Sequence, residues 1–569
     1  MNEIIERHPN PQFARKNIFL LDGEWSISLN GGRIQKIRVP YCPESELSGI
    51  GETDFIKDCE YHKTFRLSET MKNGKILLRF GAVNYSARVY INGKYAGSHA
   101  GGYTPFCFDI TEMLNDGENL IVVCVRNNLA ERNPSGKQSP KKESFGCFYT
   151  RCTGIWQSVW LEKVPEHYLR AVRFYPNMEN NTVTMEMRAE GSEEYKAEIF
   201  CGEKLVGTCG GNLNNKGIFI AELNERRLWQ LNKGNLYEVR MRFGNDEVYS
   251  YFGMREVKYD GYKFLLNGKT VFQRLVLDQG YYPKGVYTPE KAEDFAADIE
   301  RAKSLGFNGA RLHQKVFDPR YLYESDKRGF MLWGEYASWG GDYSELTKFG
   351  QFVNEWRETI ERDFNHPSIV VWCPLNELWG ELDNVAKTRD LRFVEGIYNL
   401  TKIFDPSRPC VDVSGGMHGS STDIADFHCY DSLEIMEEKL RRASYGEMDF
   451  LNMYNTDEGF RYSGQPQHLS EFGGIAFSGI EITQTQCVQE QNAWGYNVIE
   501  NENAFVENYE KTMRQILKCE KLSGCCYTQL YDIEQEQNGL YSFDRTPKFS
   551  EPAMWRIRIA NMLKAKIEK

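Results

Sequence analysis

The chain has 569 residues, too many for one hydrophobic core, and carries a formal net charge of −11. An acidic protein attracts neither nucleic acid nor an anionic membrane surface, so both are excluded as main partners. The 15 cysteines show no Cys-x-x-Cys or Cys/His ligand spacing, which implies free thiols, with no disulfide framework and no zinc site.

The stretch from Met1 to Arg15 is polar, without an apolar leader, and no run of about 18 apolar residues follows. A cytoplasmic protein is therefore expected. From Leu20 to Lys163 the pattern is one of short alternating runs: Trp25–Leu29, Tyr61–Phe65, Lys75–Phe80, Ala87–Ile91 and Leu120–Val125. Asn92-Gly93 between two such runs is a hairpin turn pair, because both central residues must take positive φ. Residues 1–163 thus read as a β-sandwich. The segment Asn128 to Gly146, rich in Lys, Ser, Pro and Gly, reads as a long exposed loop. Alternation resumes in Thr182–Met187, Ala197–Phe200 and Tyr237–Phe243, so 164–257 reads as a second sandwich of immunoglobulin-like size.

After residue 258 strands alternate with helices. Thr288-Pro289 reads as a capped helix start, with Phe295, Ile299 and Ala302 on one face behind it. Phe352, Trp356, Ile360 and Phe364 repeat the helical spacing. The candidate strands are Val271–Leu277, Phe307–Leu312, Phe330–Trp333, Ser368–Cys373, Pro409–Val413, Ile424–Cys429, Gln467–Ser470 and Gly524–Gln529. Eight strands are what a (β/α)8 TIM barrel over 258–569 requires, and its chemistry lies at the strands' carboxyl ends.

Two carboxylates stand at such ends. Glu377 follows Asn376 in N-H-P-S-I-V-V-W-C-P-L-N-E-L-W-G, just beyond the fourth strand, and Glu471 in H-L-S-E-F-G-G follows the seventh. Strands three apart in a ring of eight lie nearly opposite, so both side chains can enter one mouth. Glycoside hydrolysis needs such a pair, one carboxyl to protonate the leaving oxygen and one to act on the other face of the sugar.

Both motifs resemble those of glycoside hydrolase family 2, which contains β-galactosidases, β-glucuronidases and β-mannosidases. Gly81-Ala-Val-Asn through Asp109-Ile110, and Gly154–Leu161, resemble the jelly-roll sugar-binding domain that opens these enzymes, and Phe252–Glu256 resembles the junction into their catalytic domain. The resemblance implies Glu377 as acid/base, Glu471 as nucleophile, Asn376 on the sugar 2-hydroxyl and Tyr430 as a hydrogen-bond partner of the nucleophile. It also implies a retaining exo-β-glycosidase acting on small β-glycosides or oligosaccharides without cofactor or metal, and assembled as a dimer or tetramer. Asp278, Gln279, His313 and Gln314, after the first and second strands, are candidates to read sugar hydroxyls, and Trp379 to stack on the sugar. Arg311 and Glu335 are candidates for a buried ion pair or for ligands.

The substrate-reading positions depart from the family pattern. Val276-Leu-Asp-Gln279 stands where many members carry Asn-Arg-His-Glu, and His313-Gln-Lys-Val316 where they carry Ser-His-Tyr-Pro. Glu536-Gln-Asn-Gly539 lacks the lysine of the Asn-x-Lys pair with which β-glucuronidases grip the sugar carboxylate. A β-galactosidase is therefore the leading expectation, with a β-glucuronidase or β-galacturonidase as the alternative, for which Lys315 could meet the acidic sugar. The chain ends soon after the barrel, so the further C-terminal domains of large β-galactosidases are not expected. A non-catalytic carbohydrate-binding relative is the rival of another class, and it has no need of both carboxylates.

Overall fold

The computed structural model describes residues 2–71, 73–378, 389–454, 459–477, 495–499 and 501–569. Asn92 and Gly93 take φ of 52° and 79°, and the turn they make joins Ser86–Ile91 to Lys94–Ala100. This hairpin edges a six-stranded antiparallel sheet continued by Glu118–Arg126, Asp58–Arg66, Gly23–Leu29 and Gln35–Val39. A second sheet contains Ile18–Leu20, Val159–Val164, Lys75–Phe80 and Phe106–Asp109. Strand alternation sends Trp25, Tyr61, Val89 and Ile121 of the first sheet into one core with Leu78, Phe80, Val159 and Leu161 of the second. The result is the jelly-roll sandwich.

In the next sandwich one strand, Thr182–Cys201, serves three partners, the longest being Lys204–Glu222. It pairs with Tyr168–Asn177 near its start and with Leu236–Phe243 near its end, and its ladder with Lys204–Glu222 slips between Arg188 and Ser192. Val183, Met185, Ile199, Val239 and Met241 close its core.

The barrel strands are β1 (Gln273–Asp278), β2 (Gly309–Leu312), β3 (Met331–Glu335), β4 (Ile369–Cys373), β5 (Val413–Ser414), β6 (Ala425–Cys429), β7 (Gln467–Gly473) and β8 (Leu522–Thr528). Seven form one parallel sheet in the order β4-β3-β2-β1-β8-β7-β6. β5 joins through Trp372 opposite Cys410, and through Leu375 and Asn376 opposite Val413 and Ser414. Most of these strands are buried from end to end, as parallel strands covered on both faces must be. Pro374 interrupts β4, and pairing resumes beyond it toward β5, which carries Asn376 and Glu377 into the mouth.

Two local expectations are corrected. The first barrel helix begins at Glu293, with no capping bond from Thr288, because the Thr288 hydroxyl donates at 2.6 Å to the Trp156 carbonyl of the N-terminal sandwich. The segment 128–146 is not exposed throughout: Asn133, Ser135, Lys137, Gln138 and Ser139 are buried. Ser135 and Gly136 donate backbone N–H groups to the Trp339 carbonyl at 2.8 and 3.0 Å, which stitches the segment onto the barrel mouth. Only glycine fits there, since Gly136 has φ of 61° and a Cβ would lie 2.2 Å from the Gln314 carbonyl oxygen.

Candidate active site

Glu377 and Glu471 converge although 94 positions separate them in the chain. One carboxylate oxygen from each lies within 4.8 Å of the other, with a His428 ring nitrogen in the same cluster. Glu377 sits beyond Asn376 with φ of 37°, an unusual value for a residue with a side chain, and its N–H is fixed at 2.8 Å on the Ser414 carbonyl. Glu471 lies inside β7 and is buried, with 4% of its surface exposed.

Arg311, at the end of β2, organises the floor of the site. Its guanidinium donates to Glu335 at 2.7 Å, to Glu471 at 2.8 Å and to the Asn376 side-chain oxygen at 2.5 Å. Tyr430 donates its hydroxyl to the other oxygen of Glu471 and contacts Thr528 Oγ1 at 3.1 Å. Burial alone would push the Glu471 carboxyl up, but His428, Arg311 and Lys137 outweigh it and hold the group at about 2. Glu471 is therefore an anion at neutral pH.

His428 stands between the two acids. Its Nδ1 is 2.6 Å from Glu377 Oε1, and its Nε2 is 3.5 Å from Glu471 Oε1 and 3.1 Å from Ser414 Oγ. Burial disfavours the imidazolium, but Glu471 and Glu377 raise its pKa above the ordinary 6.5. Glu377, His428 and Glu471 could offer one ligand atom each to a cation. Arg311 already supplies positive charge at 2.8 Å from Glu471.

The N-terminal sandwich builds part of the wall. The Tyr149 N–H donates to the Lys137 carbonyl at 2.8 Å. The Tyr149 hydroxyl accepts from Gln279 Nε2 at 2.9 Å and donates to Glu536, beyond β8. Lys137 places its ammonium 5.4 Å from the Trp339 ring centre, and the Trp339 indole N–H reaches the Asn376 carbonyl at 3.0 Å.

The residues singled out from sequence divide by position. Asn376 and Tyr430 adjoin the two acids through Arg311 and Glu471, and Asn376 keeps a buried side-chain Nδ2 with no hydrogen-bond partner among the described residues. Gln279 lies on the Tyr149 and Gln529 wall. His313 is buried 3.9 Å from Glu471, and burial together with Lys137 holds it neutral, well below 6.5. Asp278 accepts from the Gly280 N–H at 2.9 Å and the Tyr321 hydroxyl at 3.1 Å, while Gln314 accepts from the Trp339 N–H at 2.9 Å and donates to Ser338 at 3.1 Å. Both of these are engaged in bracing loops. Lys315 donates to the carbonyls of Gly280 and Tyr287 at 2.6 and 3.0 Å beneath aromatic rings, and burial brings it down to about 7. Trp379 lies outside the described residues.

Comparison with known proteins matches residues 53–165 to the sugar binding domain of glycosyl hydrolases family 2 and residues 296–562 to the TIM barrel domain of the same family. The chain belongs to glycoside hydrolase family 2. Among its family 2 relatives, it is 28% identical over 430 residues to a β-galactosidase of Thermoanaerobacterium thermosulfurigenes, covering 68% of this chain and 59% of that one. A Formosa agariphila relative is 29% identical over 368 residues, 61% of this chain and 43% of its own length. The chain thus spans about half the length of these two relatives. The solved structure of a β-D-glucuronidase from Dictyoglomus thermophilum shares the fold, with a TM-score of 0.80 at 19% identity over 99% of this chain and 100% of that one.

Within this family 2 frame, His428 and Lys137 were not among the sequence candidates. His428 carried a readable signal: in β6 it lies two residues from Tyr430, and strand side chains alternate, so both share the face turned to the mouth. Lys137 carried none, because its position depends on contacts between the sandwich loop and a barrel hundreds of residues away.

Proposed function

We propose that this family 2 glycoside hydrolase is a retaining exo-β-glycosidase. The observation that carries the reading is the spacing of Glu377 and Glu471, whose carboxylate oxygens come within 4.8 Å. Retention calls for carboxyl groups about 5–5.5 Å apart, whereas inversion needs about 6.5–9.5 Å to admit a water between acid and sugar. Their environments also differ as the two roles demand. Glu471, held anionic by Arg311 and His428, attacks the anomeric carbon. Glu377 gives its proton to the aglycone oxygen as that bond breaks, and the sugar remains as an ester on Glu471. The negative charge on Glu471 is then gone, and Glu377, now a carboxylate, takes a proton from the water that attacks the ester. Asn376 Nδ2, without a partner among the described residues, supports a sugar hydroxyl as the missing acceptor on that side.

The names carried by similar proteins divide between β-galactosidase and β-D-glucuronidase, so the glycone must be argued from this chain's own residues. The test is a panel of chromogenic aryl β-glycosides with wild type, Glu377→Gln and Glu471→Gln, and proton NMR of the first-formed sugar. Wild type should release the β-anomer, and both variants should lose activity by about 10³-fold or more. First-formed α-anomer refutes retention. No turnover of any glycoside, or equal turnover in all three proteins, rejects this enzyme reading, and the first of these outcomes supports the non-catalytic binding relative.

A further inference from the structure

Lys137 is 7% exposed, and among the described residues no hydrogen bond or ion pair reaches its ammonium group. Glu536 and Glu471 offset its charge through space, but the N–H donors of the ammonium have no acceptor among the described residues. The other cations near the mouth are committed. Arg311 is bonded to Glu335, Glu471 and Asn376, and Lys315 to two backbone carbonyls. Glu536, the acid that acts most strongly on Lys137, gives one oxygen to the Tyr149 hydroxyl and the other to Asn538 Nδ2 at 2.9 Å.

The position of Lys137 is well fixed. Gly136 is clamped on the Trp339 carbonyl, the Lys137 carbonyl accepts from Tyr149, and the next residue, Gln138, accepts the Cys152 N–H at 2.9 Å and donates to the Ser135 carbonyl at 3.0 Å. Trp339 on one side leads to Asn376, and Tyr149 on the other leads to Gln279 and Glu536, so the ammonium stands in the wall of the pocket that holds both catalytic candidates. The negative groups facing it are Glu471 and Glu536, with Cys147 and Tyr496 beside them, and these keep Lys137 protonated by outweighing the effect of burial.

We propose that Lys137, carried into the barrel mouth by the N-terminal sandwich, is the residue that selects the glycone: its ammonium binds a carboxylate on the sugar seated between Glu377 and Glu471, which makes the substrate a β-uronide. This rests on the glycosidase reading above and deepens it. A sugar carboxylate gives the ammonium's N–H donors a charged acceptor, where a neutral sugar offers only hydroxyls.

The test compares kcat/KM for p-nitrophenyl β-galactoside and β-glucoside with the matching β-galacturonide and β-glucuronide, in wild type and Lys137→Met. Wild type should prefer a uronide to its neutral counterpart by about 10²-fold or more. Lys137→Met should slow both classes, because Glu471 loses a neighbouring cation, but the loss on the uronide should exceed that on the neutral glycoside by about 10-fold or more. Thermal melting should show the variant folded with a lower Tm than wild type, since Glu471 and Glu536 lose a neighbouring cation. Should the variant not fold, inhibition of wild type by free galacturonate or glucuronate against free galactose or glucose gives the same reading, with the acid expected to bind more tightly. A wild type that prefers neutral glycosides, or a variant that loses both classes equally, overturns the assignment of Lys137 and leaves the glycosidase reading standing. A wild type that turns over none of the four overturns both.

Discussion

Replacing Arg311 by methionine tests the electrostatic core of the site. The guanidinium is wholly buried between Glu335 and Glu471, also wholly or almost wholly buried, at 2.7 and 2.8 Å. Removing it leaves carboxylates in low dielectric with a partner gone, which costs about 3–5 kcal/mol of stability. The Glu471 carboxyl supplies a second measure. It moves from its ordinary 4.5 to about 2, and at about 1.4 kcal/mol per pH unit this is worth about 3 kcal/mol. Because the folded value is the depressed one, that stability is present above about pH 4.5 and is lost as the pH falls toward 2. In Arg311→Met burial is less opposed, so the Glu471 pKa should rise by about two units or more. Three consequences follow for kcat/KM on an aryl β-glycoside and for urea unfolding, both followed from pH 4 to 9. Activity falls by about 10³-fold, the acidic limb of the rate profile moves up, and neutral-pH stability drops by about 3–5 kcal/mol. Arg311→Lys, which keeps the charge but not the fork that holds Asn376, should recover the acidic limb without recovering full kcat. Activity lost at unchanged stability, with an unmoved acidic limb, would refute the account of Arg311 as the group that keeps Glu471 ionised.

Two further outcomes concern protons. His428 holds a raised pKa through Glu471 and Glu377, so it stays protonated above pH 6.5 and loses its proton as the pH rises through the folded value. His428→Asn should therefore move the basic limb of kcat/KM to lower pH by about one unit, and an unmoved limb would remove His428 from the proton inventory. Glu355 is buried beneath the N-terminal sandwich, where it accepts the Tyr103 N–H at 2.7 Å and the Tyr336 hydroxyl, and burial pushes it up to about 7. A carboxyl whose folded value is raised stabilises most below its ordinary 4.5 and loses that contribution as the pH climbs to about 7. Glu355→Gln should match wild type near pH 5 and exceed it near pH 8 by up to about 3 kcal/mol in urea unfolding, whereas parallel stability curves would contradict this.

The barrel and its two acids were legible because each depends on short-range pattern. Fully buried apolar runs mark parallel strands, and Asn376-Glu377 and Glu471 lie in motifs a few residues long. The fifth strand, expected over Pro409–Val413, is shorter in the structure. Its ladder is reduced to Val413 and Ser414, with contact to β4 carried by an isolated pairing of Trp372 and Cys410. The Thr288 cap was misread because local chemistry offered a helix start, while a distant carbonyl, that of Trp156, offered a stronger partner. The segment 128–146 was misread for the same reason. Lys, Ser, Pro and Gly are the composition of a solvated loop, and no periodicity shows that Gly136 will be pressed against Gln314.

β6 shows how much a strand's period of two can organise once one member is placed. Asp426, His428 and Tyr430 alternate with the buried apolar Phe427 and Cys429, and their face points to the barrel axis. Asp426 accepts the Ser414 hydroxyl at 2.8 Å and the Ser470 hydroxyl, so it ties β5 to β7 beneath the acids. His428 meets Glu377, and Tyr430 meets Glu471. One strand thus touches both catalytic candidates and the neighbouring strands that hold them, so the spacing of the two carboxyl groups is set by a rigid sheet rather than by loops. That is the arrangement a two-step displacement needs: the same two oxygens must face each other across the anomeric carbon in both halves of the reaction, with only protons and the sugar moving between them.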